Sequence, residues 1–256
     1  MEASALSAHV RAFSPALYNR LPDVRDADVA FQTARDRDAF LGEIGDLICG
    51  HGLELYVGVS LLHKHNPVSD DQLMVEVFDE ITYQRPALMM QRMASDIAPG
   101  HVPVVFRVAD DDDALVPMEH SAVEPARDAY TELARRMATF LPPFCATVRK
   151  YRYEDLIGLY IVRESLLPVA EGERLIERID GERAANVTSA EIPPTEAGSR
   201  LIPTTWWFTS GEGSTRWCVP RECYSKKICY EPPTGKHEPD VVHRAVWHEH
   251  GPDTAT

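Results

Sequence analysis

Apolar residues recur at helical spacing over residues 33–49, where Phe40, Leu41, Ile44, Leu47 and Ile48 build one face. Thr33 and Asp36 suit the start of that helix, and Gly50 suits its C′ stop. From Leu53 the period changes to two. Over a strand spanning residues 53–65, Leu55, Val57, Val59 and Leu61 fall on one face, and Glu54, Gly58, Ser60 and Lys64 on the other. Residues 66–71 carry turn chemistry and residues 72–78 read as a returning strand, so a β-hairpin is expected. A second strand pair is expected between residues 102–108 and 115–120. Asp110, Asp111, Asp112 and Asp113 join the two; they lack the spaced ligands and glycine of an EF-hand loop and read as a solvated turn.

The clearest helix covers residues 125–141. Pro125 fits its first turn, Tyr130, Leu133, Ala134, Met137, Phe140 and Leu141 share a face, and Pro142-Pro143 is expected to end it. Residues 149–163 read as a short helix or strand ending in Leu159-Tyr160-Ile161-Val162. Pro193, Pro194 and Gly198 make residues 193–203 the best candidate linker. Beyond it, residues 204–209 and 215–219 flank Gly211-Glu212-Gly213 as an aromatic-rich hairpin. Its Trp206, Trp207 and Trp217 are expected to pack across strands, with an aromatic wall for a small ligand as the alternative.

Helix, hairpins, helix and further strands do not alternate as βαβ units do. The expected fold is α+β: an antiparallel or mixed sheet of hairpins packed with two or more helices, plus a Cys/His-rich C-terminal segment. The chain divides into an N-terminal arm (1–24), a main domain (25–192), a linker (193–203) and the C-terminal hairpin and Cys/His-rich segment (204–256), packed on the main domain.

Forty acidic residues against 26 basic ones give a net charge of −14. Nucleic-acid binding needs the opposite sign to displace phosphate counterions, so no such partner is expected. The longest strongly apolar run, residues 55–62, falls far short of the roughly 20 residues that span a bilayer. No membrane partner is expected, and the start lacks the basic and apolar regions of a secretory signal, so a cytoplasmic location is expected.

The most informative local chemistry is His63-Lys64-His65. Residues two apart in a strand share a face, so both imidazoles would extend the apolar stripe and offer two nitrogen donors to one divalent metal ion, iron, copper or zinc. The alternative is a pair of partly exposed histidines bonded to a neighbouring loop. Glu76, on the returning strand, and His120, ending the second pair, rank equally as a third ligand, and His51 ranks lower. A second cluster, Cys218, Cys223 and Cys229 followed by His237 and His243, carries the residue types of a structural zinc site without the tight Cys-x-x-Cys spacing, and independent cysteines or a disulfide are its alternatives. Cys49 and Cys145 read as buried small hydrophobes. No P-loop, dinucleotide fingerprint or serine-hydrolase elbow is present. These features point to a metal-dependent enzyme acting on a small-molecule substrate, leaning to oxidative chemistry, with no nucleic-acid or membrane partner. The alternative is a non-catalytic ligand-binding or interaction protein with a structural zinc in its C-terminal cluster.

Overall fold

The N-terminal helices are set by their caps. Ser14 Oγ accepts the backbone N–H of Leu17 and Pro15 occupies the first turn, which starts α1 (Pro15–Asn19). Asp23 caps α2 (Val24–Thr33) by accepting the N–H of Asp26 at 2.9 Å. Two longer helices follow, α3 (Arg37–Gly50) and α4 (Glu124–Lys150). The computed structural model describes residues 9–78, 87–93, 101–121, 124–161, 170–180, 185–193, 199–211, 214–218 and 221–226.

Twelve strands among these residues form one mixed sheet: β1 (Val57–Leu61), β2 (Gln72–Phe78), β3 (Ala87–Met93), β4 (Val102–Val108), β5 (Leu115–Ser121), β6 (Ile157–Ile161), β7 (Arg174–Asp180), β8 (Ala185–Glu191), β9 (Ser199–Pro203), β10 (Thr205–Gly211), β11 (Ser214–Cys218) and β12 (Arg221–Lys226). Their order is β11-β10-β1-β6-β4-β5-β2-β3-β8-β7-β12-β9. The β2–β5 and β7–β12 pairs are parallel, and the other named pairs are antiparallel. Because β9 at one end of this order runs through Thr204 straight into β10 near the other, the sheet curls on itself. Its two faces bury separate cores. On one, Val57, Val59, Leu61, Phe106, Leu159 and Phe208 meet the helices through Phe31, Phe40, Ile44, Leu133, Phe140 and Phe144. On the other, Val105, Val116, Met118 and Tyr160 are covered by Tyr18 and Leu21 of the N-terminal segment.

Several expectations hold. The β4–β5 and β10–β11 hairpins form, the latter turning between Gly211 and Ser214. The four aspartates make a turn tied down by arginines: Asp111 and Asp112 to Arg11, Asp113 to Arg149 and Asp110 to Arg107. Trp206 packs as core, edge-on to Phe31 at 4.9 Å.

Others are corrected. The helix read over 33–49 starts at Arg37, and Thr33 instead ends the separate α2. The strand read over 53–65 is confined to Val57–Leu61, and Leu55 is 67% exposed. β1 and β2 do not form a hairpin: β1 pairs with β6 and β10, while β2 pairs with β3 and β5. Pro142-Pro143 does not end α4, which continues to Lys150. Phe144, Cys145 and Val148 are fully buried beyond the prolines. At about 1.5–3 kcal/mol for each large apolar side chain, that burial offsets the backbone bonds two prolines remove. Part of the stretch read as linker, Ser199–Pro203, is strand β9.

Burial also fixes a thiol. The low-dielectric surroundings of Cys145 push it up to about 12. At pH 8 it is expected to resist iodoacetamide in the native protein and to react fully in 6 M guanidinium, as read by peptide mass spectrometry. Rapid native labelling of Cys145 would contradict the packing of α4 against α3.

Candidate metal centre

After Leu61 the chain leaves the sheet, and its backbone is held at Leu62, Lys64 and His65. The N–H of Leu62 donates to Leu156 O, that of Lys64 to Pro22 O, and that of His65 to the Tyr18 hydroxyl at 3.0 Å. Asn19 Nδ2 donates to Val68 O and Asn19 Oδ1 accepts the Val68 N–H, holding the far end of the loop. The N-terminal segment therefore braces the loop that carries His63 and His65. Their rings lie 4.7 Å apart, edge to face, and both residues are buried. The stripe of Val57, Val59 and Leu61 faces the helices, whereas the imidazoles line a cleft with Ser60, Val105, Tyr160, Thr204 and Thr205.

Two carboxylates from distant strands reach this cleft. Glu177, on β7, places Oε1 3.1 Å from His65 Nδ1. Glu119, on β5, places Oε1 3.0 Å from His65 Nε2. His63 Nδ1 donates to Leu61 O at 2.8 Å, a tautomer in which Nε2 carries the lone pair that can bind a cation. His63, His65 and Glu177 each present a donor atom within 4.8 Å of the others, the group of three that meets among the described residues. An edge of a coordination polyhedron with bonds of about 2.0–2.2 Å measures about 2.8–3.6 Å, so the Nδ1–Oε1 separation already suits one shared ion. Glu119 then has the role of the outer carboxylate that fixes a ligating imidazole through its other nitrogen.

The two imidazoles differ electrostatically. Burial and the charge of its neighbour His65 push His63 down to about 4, so it is neutral at pH 7. Burial also works against charge on His65, but Glu177 and the hydrogen bond to Glu119 outweigh it and raise His65 to about 10. Without a metal, one imidazolium sits between the two buried acids and hydrogen-bonds to both. A divalent cation would take over that charge and release the proton.

The cleft measures ≈ 260 Å³ including its open mouth. Thr205 Oγ1, on its wall, is buried and has no hydrogen-bond partner among the described residues.

The other sequence candidates lie elsewhere. Glu76 is buried on β2, across from Met89 and Ser121. His120 stacks edge-on to Phe13 at 5.9 Å, and burial, then the nearby His101, push it down to about 4. His51 follows α3 and packs against Phe140. Cys218 and Cys223 lie on β11 and β12, and Cys223 is in register with Glu177. Cys229, His237 and His243 fall outside the described residues. Glu177 and Glu119 were not selected from the sequence. Strict alternation sends Glu119 to the face opposite Met118, but register shifts on both sides of the Val105–Glu119 pair re-aim it into the cleft.

No protein-family model, curated protein or solved structure matches this chain. The chemistry of the site therefore rests on its own geometry. Among the described residues no helix is long and apolar enough to cross a membrane.

Proposed function

We propose that the protein is a metal-dependent enzyme acting on a small molecule, with His63, His65 and Glu177 holding a divalent ion. One observation carries this reading: two imidazoles and a carboxylate, all buried, bring donor atoms within 4.8 Å of one another. Two histidines and one carboxylate leave coordination positions open, the donor set with which non-haem iron(II) performs oxidative chemistry, and iron is therefore preferred to copper or zinc. When bound, the ion supplies a Lewis-acidic, redox-active centre for a small ligand.

The chain's own groups do the rest. Glu119 orients His65, and the Leu61 carbonyl holds His63 in the tautomer that presents Nε2. Val105 and Tyr160 keep the cleft narrow. The Thr205 hydroxyl offers a hydrogen bond to whatever small ligand enters.

Protein purified without a histidine tag is expected to carry one equivalent of iron or copper by elemental analysis, lost in His63→Ala. Glu119→Gln is expected to weaken binding roughly 10–100-fold while leaving the far-UV circular dichroism unchanged. Zinc alone, retained in His63→Ala but lost with general unfolding in Cys223→Ser, would instead favour a non-catalytic protein whose C-terminal Cys/His cluster holds a structural ion.

A further inference from the structure

Asn186, on β8, is fully buried beside the same donors. Its Nδ2 contacts His65 Nδ1 and lies 3.3 Å from Glu177 Oε1, while its Oδ1 is buried with no hydrogen-bond partner among the described residues. The three contacts cannot all be favourable as they stand. If His65 Nδ1 carries a proton it suits Glu177 but opposes the amide N–H. If it carries none it suits the amide but turns a lone pair toward the carboxylate. The two ends of a carboxamide occupy nearly the same space, and only their partners decide which is oxygen. Turned about its Cβ–Cγ bond, Asn186 places oxygen where Nδ2 now lies, and then the imidazole nitrogen, the carboxylate oxygen and the amide oxygen all present lone pairs to one region.

We propose that the Asn186 amide oxygen is a fourth protein donor at this centre, and that the resulting set of two nitrogens and two oxygens takes a six-coordinate, oxygen-preferring ion such as iron(II) or manganese(II). The inference rests on the metal-centre reading of His63, His65 and Glu177. Its chemistry goes further, because zinc is content with three protein donors and a water in a tetrahedron, whereas manganese(II) and iron(II) gain from each added oxygen. Loss of Asn186 should therefore penalise manganese(II) far more than zinc(II). A merely structural Asn186, donating to Glu177, would shift both alike.

The experiment measures dissociation constants for manganese(II) and zinc(II), by calorimetry on the full-length chain freed of metal, for wild type, Asn186→Leu and Asn186→Asp. The expected result is one manganese(II) per wild-type chain, at least a roughly tenfold loss of manganese(II) affinity in Asn186→Leu and a smaller loss for zinc(II). Asn186→Asp keeps an oxygen at the same place and is expected to bind manganese(II) at least as tightly as wild type. The aspartate variant decides even where the leucine variant does not fold, since a structural amide donor replaced by a carboxylate beside Glu177 would repel it and lose the ion. Wild type that binds neither metal overturns the metal-centre reading itself, because the flipped amide also suits a protonated His65. Wild type that binds, with the ratio of the two constants unchanged in Asn186→Leu or manganese(II) lost in Asn186→Asp, overturns the role of Asn186 alone.

Discussion

His65→Ala is expected to lower the stability of the metal-free protein by about 3–5 kcal/mol, because it strands Glu119 and Glu177 in the interior without their shared cation. In a chain of this size that is a fall in melting temperature of the order of 10 °C. The pH dependence has a definite sign. His65 is raised to about 10 in the folded protein, above its ordinary 6.5, so its contribution is complete below pH 6.5 and disappears as the pH rises through about 10. The gap between wild type and His65→Ala should narrow in alkali. His63 is neutral and bonded to a backbone carbonyl, so His63→Ala should cost the metal-free protein distinctly less. Added metal separates the two roles again. An ion at a hundred times its dissociation constant stabilises wild type by about 2.7 kcal/mol, and neither variant should gain it. Thermal melts at pH 7 and pH 10, in chelator and in metal, read all of this; equal losses in the two variants, or none in His65→Ala, would refute the division of labour.

The histidine pair was legible in the sequence for a reason that only half applies. Spacing of two suggested a shared strand face, yet β1 stops at Leu61 and the rings converge because Pro22 and Tyr18 hold the backbone of Lys64 and His65. Local pattern identifies residues that belong together within a few positions, and there it succeeds: the tight β4–β5 and β10–β11 hairpins follow from turns between alternating runs. It says nothing of which distant strand arrives alongside. Turn chemistry after His65 shows that the chain reverses, but β1 finds its partners in β6 and β10 and β2 pairs in parallel with β5. Glu177 reaches the cleft and Asn186 reaches His65 on strands held by such pairings, β7 by β12 and β8 by β3, and nothing in Leu175-Ile176-Glu177-Arg178 marks one acid as buried beforehand. Glu119 is hidden for a different reason, since a register shift defeats a rule built on perfect alternation.

Gly158→Ala is expected to destabilise the protein by about 3 kcal/mol or more, and to take metal binding with it. Gly158 lies on β6 opposite Ser60 of β1. A methyl group there would overlap the Phe106 carbonyl oxygen on β4 and stand 2.6 Å from Leu62 Cδ2, inside the 3.0 Å that real Cβ contacts respect. Leu62 could rotate, but the Phe106 carbonyl is part of the sheet and can move only if β4 and β6 separate. Gly58 on β1 poses the same problem against the Trp206 carbonyl of β10, so Gly58→Ala should be similarly costly. Both glycines mark places where neighbouring backbones approach too closely for any side chain, and both strands feed the cleft: β1 leads into His63, and β6 carries Tyr160 two residues after Gly158. Spreading them displaces the donors as well as the core. Gly42, on α3, is the control with the opposite sign. An added methyl meets nothing within 4 Å there, and a helical glycine replaced by alanine gains roughly 0.5–1 kcal/mol from the smaller entropy lost on folding. Urea midpoints should therefore fall for Gly158→Ala and Gly58→Ala and rise for Gly42→Ala, and a Gly158→Ala protein with a wild-type midpoint would mean that β4 and β6 are not paired in this register.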